Sequence, residues 1–156
     1  MLAFWDLAAA FPSVAHAWLF MVLRARGVPI GLIDLIDSMY RLVSAFMVCG
    51  GRFRFLFWIL AGVLQGCPLS GMLFAIVMDP FLVKLDAELC RPQLGTVRAC
   101  ADDVGAALRH LSSLRIAKCT FDAAREVANL CLKPTKCVLV PVGEIVTEHL
   151  TEQVLQ

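Results

Sequence analysis

The sequence predicts an α+β fold, a mainly antiparallel sheet backed by helices on one face. Short apolar runs with strand character alternate irregularly with segments of helical periodicity. Gly50-Gly51 and Ala101-Asp102-Asp103 each join two such runs into a hairpin. No repeat, low-complexity stretch or linker divides the 156 residues, so one domain is expected.

The elements follow in order. Phe4-Trp5 reads as the end of a short strand that stops at Asp6, just before a helix. From Val14 to Arg26 apolar residues recur at helical spacing, with Ser13 as N-cap and Gly27 then Pro29 as the stop. A second helix from Gly31 to Leu42 is expected to bury Leu32, Leu35, Ile36, Met39 and Val43, with Asp34, Asp37 and Arg41 outward. Ser44–Cys49 and Arg52–Trp58 form a hairpin, because paired glycines supply positive φ. Leu69–Cys90 is helix, bent or divided at Pro80 by the missing N–H and the ring clash. Val97–Cys100 and Val104–Leu108 are short strands. Leu114 to Cys131 places Leu114, Ala117, Phe121, Ala124, Ala128 and Cys131 on one helical stripe. Lys136–Val142 is a strand after Pro134, and Val146, Leu150 and Val154 suggest a final helix.

Composition narrows the classes. Hydrophobic residues make up 60% and charged residues 17%, which excludes a disordered chain. A net charge of +1 gives no general cationic field, so contact with nucleic acid must be local or come from other regions. The uncharged stretch Phe55–Met78 is long enough for a bilayer, but Gln65-Gly66-Cys67-Pro68-Leu69-Ser70 breaks it into two short runs, so no membrane span is expected. Seven cysteines without a C-x-x-C pair, and no secretory signal at Met1, favour a reducing compartment, nucleus or cytoplasm. His16, His110 and His149 share no ligand spacing and read as ordinary surface or helix-end residues; Trp5, Trp18 and Trp58 read as core.

Four segments can carry chemistry. Asp6 in Phe4-Trp5-Asp6-Leu7-Ala8-Ala9-Ala10-Phe11 could be a simple cap or turn former. Asp102-Asp103 could be a solvated turn, or a carboxylate pair whose repulsion a divalent cation offsets. Gly62 to Ser70 fixes a sharp path into a helix, suited to close ligand approach or to plain helix entry. Lys133-Pro134-Thr135-Lys136 is weak by itself.

In this order, the four resemble motifs A to D of a reverse transcriptase palm domain, most closely that of non-LTR retrotransposons. Asp6-Leu7-x-x-Ala10-Phe11 corresponds to motif A, Gln65-Gly66-Cys67-Pro68-Leu69-Ser70 to motif B, Ala101-Asp102-Asp103 to motif C, and Asn129-Leu130 through Lys136-Cys137 to motif D. The resemblance implies a polymerase palm-like antiparallel sheet over residues 1–142, with 143–156 a truncated helical tail. It implies RNA-directed DNA synthesis by two-metal nucleotidyl transfer to a primer 3′-hydroxyl. Asp6, Asp102 and Asp103, with the backbone carbonyl of Leu7, would hold two Mg²⁺ ions, for which Mn²⁺ can substitute. The N–H groups of Ala9 and Ala10 would face the triphosphate. The Phe11 ring would exclude a ribonucleotide 2′-hydroxyl, where similar viral RNA-dependent RNA polymerases carry an Asp. Gln65 and Gly66 would line the nucleotide and template pocket, and Lys136 would protonate the leaving pyrophosphate.

The partners implied are an RNA template, a DNA primer and dNTPs in the complete enzyme. Cys100 stands where relatives keep an aromatic, and Ala61 and Leu64 where they often keep Arg. The chain starts five residues before Asp6 and ends soon after motif D, so most of the fingers and the thumb are expected to be missing and the isolated chain inactive. The competing readings are a non-catalytic retroelement remnant or interaction module and, on composition alone, a small membrane protein.

Overall fold

The computed structural model describes residues 1–90 and 93–143. Its elements are β1 (Leu2–Trp5), α1 (Ala10–Ser13), α2 (His16–Ala25), α3 (Ile30–Tyr40), β2 (Ser44–Cys49), β3 (Arg52–Trp58), α4 (Ser70–Cys90), β4 (Gly95–Cys100), β5 (Asp103–Leu108), α5 (Leu114–Ala128) and β6 (Val138–Val140). Four strands form one sheet in the order β4-β5-β1-β6, every pair antiparallel, and β2 and β3 form a separate hairpin. The expected α+β class is what is found.

Alternation along the strands gives the sheet two unlike faces. Ala3 and Trp5 of β1, Val97 of β4, and Val104, Ala106 and Leu108 of β5 are buried. Helices supply the cover: Trp5 meets Phe121 of α5 with ring centroids 5.4 Å apart, and α4 buries Leu73, Phe74, Val77, Phe81, Leu85 and Leu89 in the same core. The other face carries the exposed Phe4 and Arg98 and the half-buried Asp6. This open face bears the candidate site.

Several expectations are corrected. α3 buries Ile33, Ile36 and Tyr40, whereas Leu32 and Leu35 are exposed. The segment Ile30-Gly31-Leu32-Ile33-Asp34-Leu35-Ile36 is apolar nearly all round, so periodicity left its phase open and the Tyr40 contact settles it. Ser13 does not cap α2. It ends the short α1 and its hydroxyl donates to the Ala8 carbonyl 3.3 Å away. Pro80 lies inside an unbroken α4. α5 stops at Ala128, where Asn129 takes a left-handed conformation (φ 60°), so Cys131 lies beyond the helix.

Lys136 belongs to a 3₁₀ turn, Pro134–Lys136, and not to the strand, which is the shorter β6. Trp58 is 51% exposed on β3 and is no core residue. The expected helix through Val146, Leu150 and Val154 falls outside the described residues. Among the described residues no helix is long and apolar enough to cross a membrane.

Candidate active site

Register determines what meets at the end of the sheet. β1 runs antiparallel to β5 with Trp5 opposite Val104, so Asp6, one step further, reaches the place beside Asp103. Leu2, Phe4 and Asp6 share the open face by alternation, as do Asp103 and Gly105 across the ladder. A cavity of about 500 Å³ opens there, and both Asp6 and Asp103 line it together with Arg98, Cys100 and Lys136. The Phe4 ring passes over Gly105, where an added Cβ would lie 3.3 Å from it. A side chain at 105 would therefore crowd the cavity floor.

Beyond Trp5 the β1 segment pairs on its other side with residues 131–133. Ala8 N–H donates to the Cys131 carbonyl at 2.8 Å, and Lys133 N–H donates to the Asp6 carbonyl at 2.8 Å. In this antiparallel bridge between Leu7 and Leu132 the bonds come from the neighbours of Leu7. Its own N–H and C=O therefore point to the opposite edge, where β5 ends. The same bridge brings the Pro134–Lys136 turn alongside Asp6, and Lys136 Nζ stands 3.5 Å from Asp6 Oδ2. The Asp6 side chain is 26% exposed and Lys136 60%, so solvent weakens this pair.

Motif C is a tight connection. Ala101 has φ +54° and Asp102 completes the turn, half-buried, before Asp103 opens β5. Asp102 does not line the cavity shared by Asp6 and Asp103. Among the described residues no three His, Cys, Asp or Glu side chains gather as a metal-ligand group. Asp6 and Asp103 nevertheless line one cavity, and hard carboxylate oxygens of this kind suit a divalent cation, which would have to displace the Lys136 ammonium from Asp6.

The remaining expected residues lie outside that cavity. The Phe11 ring stacks on Phe74 of α4, 4.5 Å between centroids, fixing motif A against the helix that follows motif B. Ala9, at φ +48°, leads into α1, and Ala10 is buried. Gln65 and Gly66 form an exposed turn, Gly66 at φ +85°, and neither lines the Asp6 cavity.

Sequence reasoning missed what holds that turn. Gly62 N–H donates to Val14 O at 2.7 Å, Val63 N–H to Phe11 O at 2.8 Å, and Leu64 N–H to the Tyr40 hydroxyl at 3.2 Å; Ser70 Oγ donates to Leu64 O. His16 Nε2 is 2.8 Å from the Gly62 carbonyl. Nothing in the spacing of His16 or Tyr40 signalled these contacts. Arg98 was missed too, although alternation with Cys100 puts it on the open face.

The chain matches the family model described as reverse transcriptase (RNA-dependent DNA polymerase) over residues 1–147 and belongs to that family. The curated proteins it resembles are polyproteins of R2 retrotransposable elements. Its relatives include the retrovirus-related Pol polyprotein from type-1 retrotransposable element R2 of Popillia japonica, 29% identical across 90% of this chain and 24% of that protein. The corresponding polyprotein of Bradysia coprophila is 41% identical over 56% of this chain and 10% of its own length. That of the type-2 element R2DM of Drosophila melanogaster is 37% identical over 54% and 8%. The chain thus spans about a quarter or less of these relatives.

Among solved structures, apo telomerase from Candida tropicalis truncated from its C-terminal domain superposes with TM-score 0.76 at 14% identity, covering 94% of this chain and 31% of that one. Telomerase of the same species in complex with a TWJ fragment of telomeric RNA gives 0.73 at 13%, covering 88% and 25%. These likenesses establish the fold, a polymerase palm.

Proposed function

We propose that this chain, as the palm of a complete enzyme, extends a DNA primer on an RNA template by two-metal nucleotidyl transfer. The palm spans residues 1–142. The observation that supports the reading is the β1–β5 register, which brings Asp6 and Asp103 together on the open face at the end of the sheet where the Asp102 turn lies. Family membership and the telomerase fold support RNA as template.

The family generally works with divalent metal ions, and here Asp6, Asp102, Asp103 and the Leu7 carbonyl would hold them as Mg²⁺, with Mn²⁺ a substitute. Such ions, when bound, would supply the acidity of the primer 3′-hydroxyl and the charge neutralisation of the triphosphate that the reaction needs. The chain's own groups do the rest. Lys136 holds a proton at Nζ beside Asp6 and gives it to the departing pyrophosphate. The N–H groups of Ala9 and Ala10 lie where a helix begins and intrahelical acceptors are absent, which suits triphosphate oxygens. Phe11, held flat on Phe74, selects a 2′-deoxy sugar by bulk, and the Gln65-Gly66 turn borders the template base.

The test replaces the matched segment of the Popillia japonica polyprotein with residues 2–142 and measures primer extension on RNA. Extension is expected, and Asp6→Asn or Asp102→Asn should each lower it by at least about 100-fold, as loss of a metal ligand does more than the 10–100-fold cost of losing an outer-shell partner. A graft active with Asp102→Asn would overturn the metal assignment. A folded graft that never extends a primer would overturn the function.

A further inference from the structure

We propose that Arg98 is a positioning residue that grips a backbone phosphodiester of the nucleic-acid strand lying across the Asp6 cavity. The inference rests on the polymerase reading and adds to it a contact that no motif contains. Arg98 lies on β4, whose Cys100 is opposite Asp103 and whose Arg98 is opposite Gly105. Arg98 and Asp103 are thus diagonal neighbours on the open face. With strand order β4-β5-β1-β6, the charged groups lining the cavity follow one another across the sheet as Arg98, Asp103, Asp6 and Lys136. Two carboxylates are flanked by a cation on each side.

The two cations are not equivalent. Lys136 is paired with Asp6, whereas Arg98 has no ion pair among the described residues. Its Nη1 donates to its own strand, to Val97 O at 2.7 Å and Thr96 Oγ1 at 3.3 Å. These bonds anchor one corner of the guanidinium and leave donors on its other nitrogens, in the planar fork that matches a phosphate. β4 is the edge strand, roughly 14 Å or three strand spacings from the Lys136 side. An extended nucleic-acid strand spans that width. Between the two cations Phe4, 49% exposed, lies over Gly105 as an apolar platform. A cation beside an exposed ring is the pairing that holds a strand by phosphate and stacked base together.

The experiment measures fluorescence anisotropy of a labelled DNA primer annealed to RNA, titrated with the full chain over a salt series. Unsubstituted protein, Arg98→Gln and Arg98→Lys are compared, and a fluorescent deoxynucleoside triphosphate forms a separate arm. Arg98→Gln should weaken duplex binding about 10-fold at low salt and reduce the log–log salt slope by about one, as expected for one lost phosphate contact. Arg98→Lys should keep the slope, and triphosphate binding should stay unchanged. An unaltered slope in Arg98→Gln would overturn the assignment while leaving the polymerase reading in place. A loss confined to the triphosphate arm would overturn it in favour of a nucleotide contact. Failure of the unsubstituted chain to bind the duplex at any salt would overturn the Arg98 contact and leave the polymerase reading to the graft.

Discussion

Single residues decide the geometry of the motif B approach. Gly62 has φ +96°, and a Cβ there would lie 2.7 Å from the Pro12 carbonyl oxygen, a backbone atom that cannot swing aside. Gly66 also has positive φ, at +85°, but nothing lies within 4 Å of its added Cβ. The pair separates strain from crowding. Gly66→Ala should cost about 1 kcal/mol, the backbone term alone, and Gly62→Ala about 2 kcal/mol or more. Urea unfolding measures both, with a lower midpoint and unchanged slope expected in each. Gly62→Ala should also loosen the link to Val14 and Phe11, because its own N–H makes one of those bonds.

At the scale of elements, α4 persists through Pro80 where α2 packs against the same turn. Pro80 has no N–H for the Ile76 carbonyl four residues back, so that turn depends on packing more than the rest of the helix does. The Trp18 indole of α2 donates to the Val77 carbonyl at 3.1 Å and stacks on Phe81, 5.0 Å between centroids. An Arg26–Asp79 ion pair ties the same two helices. Trp18→Phe keeps a ring but removes the donor, so it should cost about 1 kcal/mol, the net worth of one hydrogen bond. Thermal unfolding followed by circular dichroism reads this out; no change in midpoint would mean that Trp18 serves packing alone.

The same contacts mark the limit of what local sequence encodes. α5 was legible because its apolar stripe alternates with charge, and the β2–β3 hairpin because Gly50 and Gly51 both take positive φ, at 57° and 73°. The phase of α3 was not, since it is settled by partners far along the chain, Leu64 and His16 against Tyr40, and neither was the contact of Trp18 with Val77 that joins α2 to α4. For the candidate site, ordered motifs named Asp6, Asp103 and Lys136, which the fold gathers round one cavity. Arg98 lay outside any motif, and its role emerges only from the order of strands.

Across the whole molecule the apolar excess has a definite address. On β2 and β3 Phe46, Val48, Phe53, Phe55, Phe57 and Trp58 are between 49% and 79% exposed, in a hairpin separate from the main sheet. A contiguous apolar ribbon with free edges favours association. Light scattering of the purified chain should show concentration-dependent growth, and Phe53→Lys with Phe57→Lys should suppress it while leaving the circular dichroism of the sheet and helices unchanged.

β1 is an interior strand whose neighbours come from far downstream: Leu2 pairs with Ala107 on one side and Val140 on the other. Even the Met1 ammonium is engaged, donating to Leu108 O at 2.8 Å. During synthesis, therefore, Asp6 emerges from the ribosome nearly a hundred residues ahead of Asp103 on the flanking strand. Loops that long close slowly. Assembly of this end of the sheet is consequently a late event in folding, and the waiting strand is where a chaperone would be most needed.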